Sequence, residues 1–194
     1  SKNANINLDK LTLKQNILDI NKIEITKDNF SLDDKKANFS LATKKTDIAL
    51  NSLKIDNGKT SLNSITLKTP GLDFNDNNSK MSVKTPDLNI NINSLLVNGS
   101  KTSISSIALK TPSIEYDDAK SKMNVKTSTV DLDVNALAID AGGTSIKSIN
   151  LKTPSLDFDD DISKMSVKTS KLELGVNTLA KKKKKTSISS VNLK

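Results

Sequence analysis

The chain has 194 residues, of which 35% are hydrophobic and only 3% aromatic, and it carries a formal net charge of +8. It contains no cysteine and no histidine, and every basic residue is lysine. These absences exclude thiol and imidazole nucleophiles, the ordinary zinc sites and any disulfide scaffold. Because no nucleophile, base and orienting group can be assembled, we expect no enzyme activity, no cofactor and no metal site.

The positive charge does not predict nucleic-acid binding. Phosphate recognition favours the arginine fork, and single-strand binding favours stacking aromatic rings. This chain has no arginine, one tyrosine and four phenylalanines, and its lysines are spread along the sequence. No apolar run reaches the ~20 residues of a membrane span, and residues 1–5 lack the apolar core of a signal peptide.

An internal repeat of 42 residues covers the whole chain. Thr60-Ser61-Leu62 recurs at Thr102, Thr144 and Thr186, and the segment ending in Lys68-Thr69-Pro70 recurs at Pro112 and Pro154. The repeat predicts one domain over residues 1–194, with units 18–59, 60–101, 102–143 and 144–185 and partial units 1–17 and 186–194.

Within each unit, apolar residues alternate with Ser, Thr, Asn, Asp and Lys. A period of two predicts strands with one apolar and one wet face, and no segment reads as an amphipathic helix. The candidate functional surface is this apolar set: Ile65, Leu67, Leu72, Phe74, Met81, Val83, Leu88, Ile90, Ile92, Leu95, Val97, Ile104, Ile107, Leu109, Ile114, Tyr116, Met123, Val125, Leu132, Val134, Ile149, Leu151, Leu156, Phe158, Met165 and Val167.

Three-residue steps interrupt the alternation at fixed places in the repeat. They separate Leu62 from Ile65, Thr85 from Leu88, and Ile92 from Leu95. A β-bulge at each step would return the apolar residues to the same face, and the nearby prolines would be tolerated there. The alternative is that the chain breaks into shorter strands at these points.

The turn sequences predict hairpins and a register. Tight turns are expected at Asp56-Asn57-Gly58-Lys59, Val97-Asn98-Gly99-Ser100 and Asp140-Ala141-Gly142-Gly143, with longer turns at residues 75–80, 117–122 and 159–164. Around Asn98-Gly99 the expected partners are Leu95 with Ile104, Ile92 with Ile107, Ile90 with Leu109, Thr85 with Ile114 and Val83 with Tyr116. Around the preceding turn they are Phe74 with Met81, Leu72 with Val83, Leu67 with Leu88 and Ile65 with Ile90.

These features predict an all-β fold, a repetitive up-and-down antiparallel meander of about ten long strands. Each strand would have about 15 residues and a length of about 50 Å. A parallel β-solenoid ranks second, because an offset of half the repeat does not superpose the apolar positions. The apolar face of such a sheet must be shielded from water. Either the sheet curls into a groove or taco and its own side chains fill the interior, or the groove holds an apolar ligand.

Long antiparallel strands with one apolar face, one Thr/Ser/Asn/Lys face and short Asn-Gly turns resemble the AsmA-like superfamily of bacterial envelope proteins, which includes TamB- and YhdP-like proteins. The resemblance implies a taco-shaped β-groove, in a longer chain anchored in the inner membrane. It implies a periplasmic location and conduction of phospholipid acyl chains between the inner and outer membranes. Phospholipid is thus the expected partner, the membrane being reached through other parts of the chain, and other envelope proteins are further expected partners. The alternative is a structural or adhesive β-repeat at the cell surface with no lipid role.

Two polar features remain open. The turns at Asp117-Asp118 and Asp159-Asp160-Asp161 could bind calcium, although Asp and Asn are also ordinary turn formers. Lys181 to Lys185 replaces a tight turn. This lysine run could contact anionic lipid headgroups, or could be a solvated turn that discourages aggregation at the sheet edge.

Overall fold

The structure is a computed structural model that describes residues 4–182 and 185–194. The described residues form sixteen β-strands and no helix. The strands are β1 (Ala4–Lys14), β2 (Ile17–Asp34), β3 (Phe39–Asp56), β4 (Lys59–Thr69), β5 (Leu72–Asp76), β6 (Met81–Thr85), β7 (Leu88–Asn98), β8 (Lys101–Thr111), β9 (Ile114–Asp118), β10 (Met123–Thr127), β11 (Val130–Asp140), β12 (Gly143–Thr153), β13 (Leu156–Asp160), β14 (Met165–Thr169), β15 (Leu172–Lys182) and β16 (Lys185–Leu193).

The sixteen strands make ten passes of a single antiparallel meander. The first three passes are β1, β2 and β3; each later pass except the last consists of an 11-residue and a 5-residue strand end to end, such as β4 with β5 and β6 with β7. The last pass is β16, and consecutive passes pair with each other throughout. The predicted all-β meander of about ten long strands is therefore confirmed.

Each two-strand pass divides directly after a threonine, at Thr-Pro in four passes and at Thr127-Ser128 and Thr169-Ser170 in the other two, so the alternative of shorter strands is correct. Proline cannot donate a ladder hydrogen bond, and β4 ends at Thr69, immediately before Pro70. The hydroxyl of Thr69 donates to the carbonyl of Gly71 at 3.2 Å, and the hydroxyl of Thr111 donates to the carbonyl of Ser113 at 2.9 Å. The same local bond therefore shapes the break in successive repeats.

The other three-residue steps leave the strands intact but form a transverse crease. Ser94 lies inside β7 with a positive φ of 53°, a conformation that a regular strand does not contain. The residue is unpaired, and so is the residue opposite it on each neighbouring strand, so the register is unchanged on both sides. This differs from the predicted bulge, which adds a residue to one strand only. The crease crosses all ten passes at Lys10, Asn21, Ser52, Asn63, Ser94, Ser105, Ala136, Lys147, Thr178 and Ser189.

The register agrees with the prediction at one hairpin and differs from it at the next. Around the turn at residues 99–100, four of the five predicted pairs occur; Thr85 and Ile114 lie at the strand break, where the pairing of β6 with β9 stops at Lys84 and Glu115. Around the preceding turn the prediction is wrong by two residues: Phe74 pairs with Val83, not Met81, and Ile65 pairs with Ile92, not Ile90. A shift of two preserves the faces because the side-chain period is two.

A four-residue turn explains this shift. Asp76 ends β5, and its Oδ1 accepts hydrogen bonds from the backbone N–H groups of Asn78 at 2.9 Å and Ser79 at 3.3 Å. Lys80 then adopts a positive φ of 57° and delivers the chain to Met81. These contacts fix a loop of residues 77–80, which sets Asp76 opposite Met81.

The sheet is a single open layer. Within the described residues, extensive contacts occur only between strands that pair with each other, and β1 and β16 do not pair. The most buried side chains lie close to the transverse crease or the Thr-Pro breaks: Ile20, Leu62, Val130, Thr69, Thr85, Thr111 and Thr153. In a sheet with no second layer, such burial indicates that the sheet curls there and neighbouring side chains close over these positions.

Candidate functional site: the apolar face

Three uninterrupted rows of aliphatic side chains cross the sheet at right angles to the strands. Each row takes one residue from every pass, joined by direct cross-strand pairing. Row A is Ile6, Ile25, Ile48, Leu67, Ile90, Leu109, Leu132, Leu151, Leu174 and Leu193. Row B is Leu8, Ile23, Leu50, Ile65, Ile92, Ile107, Val134, Ile149, Val176 and Val191. Row C is Leu11, Ile20, Leu53, Leu62, Leu95, Ile104, Leu137, Ile146, Leu179 and Ile188.

The repeat length produces these rows. Each 42-residue unit contains two passes, so a residue and its equivalent in the next unit lie two strands apart at the same height. Leu67, Ile90 and Leu109, for example, occupy adjacent strands in one line. Direct cross-strand aliphatic pairs stabilise a sheet by roughly 0.2–1 kcal/mol each.

The 5-residue strands, with the adjoining halves of β2 and β3, continue the apolar surface beyond the Thr-Pro breaks. One further row runs through eight passes: Leu32, Leu41, Phe74, Val83, Tyr116, Val125, Phe158 and Val167. Leu72, Ile114 and Leu156 pair with threonines, whereas Met81, Met123 and Met165 pair with the aspartates that end the opposite strands. This part of the surface is therefore less uniformly aliphatic than rows A to C.

The structure brings together most of the candidate residues and adds members that the prediction missed. Twelve candidates occupy rows A to C and six occupy the fourth row; Val97 pairs with Thr60 and Thr102, and Leu88 pairs with Thr69. The missed members of rows A and B lie on the first three and the last two passes, and further members are missing along row C; examples are Ile25, Leu50 and Leu62. The 42-residue spacing was the signal that could have identified them.

Most members of rows A to C are at least partly exposed because no second layer covers the sheet; Ile20 and Leu62 of row C, at 6% and 4% exposure, are the exceptions. Inner members such as Leu67, Ile90 and Leu109 are half-buried. The terminal members lack one neighbouring strand and are more exposed, at 72% for Ile6 and 69% for Leu193. Rows A to C, which we call the apolar face, span nine strand spacings, about 43 Å at ~4.8 Å each.

The opposite, polar face is held together by hydrogen bonds. The side-chain amide of Asn93 donates to the hydroxyl of Ser106 at 2.9 Å, and the same rung recurs in the other three copies: Asn51–Ser64 at 2.8 Å, Asn135–Ser148 at 3.1 Å and Asn177–Ser190 at 2.9 Å. Ion pairs such as Lys110–Asp131 at 3.1 Å lie beside these rungs. These contacts bind much of this face to itself, although one carboxylate oxygen of Asp131 and one of Asp157 are buried without a hydrogen-bond partner.

Two hollows touch the apolar residues only in part: Leu62 and Leu95 of row C line the first, and Leu72 lines the second. A shallow depression of about 620 Å³ opens near the crease between the first passes and is lined mainly by polar side chains such as Lys10, Asp19 and Lys54. Another, of about 580 Å³, lies at the Thr-Pro breaks beside Pro70 and Pro86. Neither offers a chemically specific arrangement, so the candidate site is the open apolar face.

The aspartate carboxylates of the acidic turns accept hydrogen bonds from residues of the same turn. Asp118 accepts hydrogen bonds from the Ser121 hydroxyl at 2.7 Å and from the backbone N–H groups of Ser121 and Lys120, both at 3.0 Å. These bonds, that of the hydroxyl foremost, lower the pKa of the Asp118 carboxyl. Asp76 and Asp160 make the equivalent contacts. Among the described residues no group of three or more acidic side chains is placed to hold a metal ion.

The lysine run at residues 181–185 is only partly described. Lys182 pairs with Lys185 at the end of the β15–β16 hairpin, and Lys181 pairs with Thr144 and Thr186. Lys183 and Lys184 lie outside the described residues, so both interpretations of the run stay predictions. In the described part of the chain there is no helix with the length and apolar character of a membrane span.

Comparison of the chain with protein-family models, curated proteins and solved structures finds no match. The functional argument therefore rests on the geometry of the sheet, and above all on its uncovered aliphatic rows.

Proposed function

We propose that the apolar face binds the acyl chains of phospholipids, and that the chain serves as a lipid conduit in the bacterial envelope, as its resemblance to the AsmA-like superfamily implies. One observation carries the proposal: rows A to C are continuous across ten passes on a face that no other part of the described chain covers. Single-layer aliphatic surfaces of this extent are rare on soluble proteins unless something binds to them.

The dimensions of the apolar face suit a lipid tail. Half of a ~30 Å hydrocarbon core is about 15 Å, so an extended tail lying along the rows would contact about three to four strands. Each methylene group removed from water contributes roughly 0.8 kcal/mol. Because the rows have no polar interruption, a tail could move from one strand to the next among equivalent contacts.

The residue types support a fluid ligand over a fixed one. Rows A to C contain only Ile, Leu and Val, with no aromatic ring or polar group to orient a rigid molecule. A small-molecule site normally adds a few convergent polar groups that fix orientation. A surface without them recognises hydrocarbon as a class, and catalysis forms no part of the proposal.

The alternative is a structural or adhesive cell-surface repeat. The recurring Asn–Ser rungs and Asp-capped turns favour it, because they stiffen the sheet and present a regular polar face. In that function the apolar face would be covered by protein and lipid would be absent. The two functions place the protein in the periplasm and at the cell surface, respectively.

Native mass spectrometry and lipid extraction of the chain expressed in bacteria would test the proposal. We expect phospholipid to co-purify, and to be lost in Ile90→Asp, which places a charge in the middle of row A. The matched control is Asn91→Asp, which adds the same charge to the next residue, on the polar face. Ile90→Thr, which keeps the β-branched shape, should bind less lipid without unfolding the sheet.

The outcomes separate the two functions. Lipid retained by Asn91→Asp and lost by Ile90→Asp, with both variants folded by circular dichroism, supports the conduit. A folded wild-type chain that carries no lipid, and takes none up from phosphatidylethanolamine vesicles, contradicts it and favours the structural repeat. Equal lipid in all three variants would also count against the apolar face as the binding surface.

A further inference from the structure

The turns form two margins of the apolar surface. The tight turns lie beyond row C, and the four-residue turns lie beyond the row that contains Phe74 and Tyr116. Each margin consists of the turns and the two strand residues on either side of them. If the apolar face binds acyl chains as proposed, the charged headgroup of each lipid must remain in water at one of these margins, because burial of an unpaired charge is strongly unfavourable.

The two margins differ in charge. The tight-turn margin contains two aspartates, Asp56 and Asp140, and six described lysines: Lys14, Lys59, Lys101, Lys181, Lys182 and Lys185. The opposite margin contains eight aspartates and six lysines, in the segments 33–40, 75–82, 117–124 and 159–166. A phosphate group is therefore attracted to the tight-turn margin and repelled by the opposite one.

The lysines of the tight-turn margin are available to an anion. All six are exposed, and within the described part of the chain none of their ammonium groups makes an ion pair. The two aspartates have other partners. Asp56 pairs with Lys54 at 3.5 Å, and Asp140 accepts hydrogen bonds from the backbone N–H groups of Gly142 at 2.7 Å and Gly143 at 3.1 Å.

The side chains between row C and this margin follow the order of the groups in a phospholipid. Next to row C, threonine and aliphatic side chains alternate from strand to strand: Thr60 and Thr102 both pair with Val97, and Thr102 also pairs with Ile139. Lysines follow at the turns. In a phospholipid, hydrocarbon is likewise followed by ester oxygens, which can accept hydrogen bonds from threonine hydroxyls, and then by phosphate.

We propose that the tight-turn margin binds the phosphate group of phospholipids whose tails lie on row C. Lys101 lies three residues before Ile104 of row C, about 10 Å along the strand, so a single lipid can contact both. From there its tails can continue along row C or across to row B. The proposal rests on the proposed binding of acyl chains and adds to it the position of the headgroup.

The lysines can present their ammonium groups on the apolar side of the sheet. Lys181 lies on the apolar face itself, between Thr144 and Thr186. Lys59 and Lys101 are the first residues of β4 and β8. At the end of a strand, the flexible four-carbon stem of lysine lets the ammonium group reach either face.

The lysines recur across the sheet in the direction of the rows. Their intervals are one to three strands, at most about 14 Å at ~4.8 Å per strand, so a headgroup could pass from one lysine to the next as the tails move. A lysine near an anionic headgroup favours its binding about fivefold, the equivalent of ~1 kcal/mol. We therefore expect phosphatidylglycerol, which has a net negative charge, to bind in preference to phosphatidylethanolamine, whose own ammonium group is repelled.

A paramagnetic label distinguishes the two margins. The chain contains no cysteine, so Ser100→Cys and Ala119→Cys each provide one site for a nitroxide, at opposite ends of the pass formed by β8 and β9. Each labelled chain is loaded from vesicles of equal parts phosphatidylglycerol and phosphatidylethanolamine, and the vesicles are removed. We expect the label at position 100 to broaden the ³¹P resonance of the bound lipid and the label at position 119 to leave it narrow. Equal broadening by both labels, or stronger broadening from position 119, overturns the proposal.

Removal of charge provides an independent test with the same vesicles. The test variant carries four substitutions in the tight-turn margin: Lys59→Gln, Lys101→Gln, Lys181→Gln and Lys182→Gln. The matched control removes the same charge from the opposite margin: Lys80→Gln, Lys120→Gln, Lys122→Gln and Lys164→Gln. Mass spectrometry of the extracted lipid should show about a fivefold preference for phosphatidylglycerol in the wild-type chain and the control. The test variant should bind the two lipids in the proportions of the vesicle.

The outcomes separate the headgroup site from the binding of acyl chains. A wild-type chain that takes up no lipid contradicts both. A wild-type chain that takes up lipid without preferring phosphatidylglycerol keeps the acyl-chain proposal and overturns the headgroup site. The same holds if the preference is lost equally in the two variants while both are folded by circular dichroism.

Discussion

Leu62 offers the sharpest test of how a single-layer sheet stabilises itself. Its side chain is 4% exposed, although no second layer covers the sheet. Leu53 and Leu95 flank it in row C, and the crease residue Asn63 follows it. If curling at the crease closes the neighbouring side chains over Leu62, then Leu62→Ala should be among the most destabilising substitutions in the apolar face.

The expected loss follows from burial. Leu→Ala removes the equivalent of three methylene groups, about 2.4 kcal/mol for full burial at ~0.8 kcal/mol each. Scaled by exposure, the loss is about 2.3 kcal/mol at Leu62, before any cavity term is added. Leu32 is the matched control: it is 45% exposed on the open half of β2, and the same scaling gives about 1.3 kcal/mol.

Urea unfolding followed by circular dichroism would measure both losses. The difference of about 1 kcal/mol should also appear as a gap of about 2–4 °C in Tm for a chain of this length. Equal losses at the two positions, or a loss below about 1 kcal/mol at Leu62, would refute the argument that curling at the crease buries row C.

Two further predictions concern the turns. Gly143→Ala should destabilise the chain more than Gly99→Ala, because a Cβ at Gly143 would collide with the backbone carbonyl of Lys181, whereas the space around Gly99 is open. Gly99→Ala should cost only the left-handed strain of about 1 kcal/mol. Similar melting temperatures for the two variants would contradict this prediction. NMR titration should give Asp118 a pKa below its usual range, and Ser121→Ala should raise it, because the Ser121 hydroxyl is the main cause of the shift. A carboxyl whose pKa is lower in the folded than in the unfolded chain stabilises the fold at a pH above the unfolded pKa, so the contribution of Asp118 to stability should disappear as the pH falls below about 4. An unchanged Asp118 pKa in Ser121→Ala would show that the hydroxyl does not set it.

The sheet and its rows follow from features that the sequence displays openly. Alternation of apolar and polar residues fixes the strand face, and the 42-residue period places Leu67 and Leu109 at the same height two strands apart. The candidate residues began at Ile65 because the first passes lack the Thr-Ser-Ile and Lys-Thr-Pro signatures by which the units align. Spacing alone would have extended row A back to Ile6, since Ile6 and Ile48 differ by one period.

The register and the strand breaks depend on specific side-chain contacts, which the alternation of apolar and polar residues does not predict. The two-residue error around the turn at residues 77–80 arose because either register sets apolar residues opposite apolar or threonine side chains. The bonds from Asn78 and Ser79 to the Asp76 carboxylate select the observed one. Similarly, the three-residue steps Thr85–Leu88 and Ile92–Leu95 look alike in sequence, yet β6 ends at Thr85, before Pro86, whereas Ser94 adopts a left-handed conformation inside β7.

The repeat length also bears on why the apolar face stays open. A sheet closes into a barrel only if its strands are staggered, so that the register shifts steadily around the circumference. Here the two-residue and four-residue turns alternate so that two passes consume one whole repeat, and equivalent residues such as Ile65 and Ile107 meet Ile92 at the same height. The stagger is zero, which opposes closure and runs the aliphatic rows straight across every strand. The zero stagger that opposes barrel closure therefore also makes the apolar surface continuous across the strands. This is the direction in which further strands would extend the sheet and in which a hydrocarbon chain could lie.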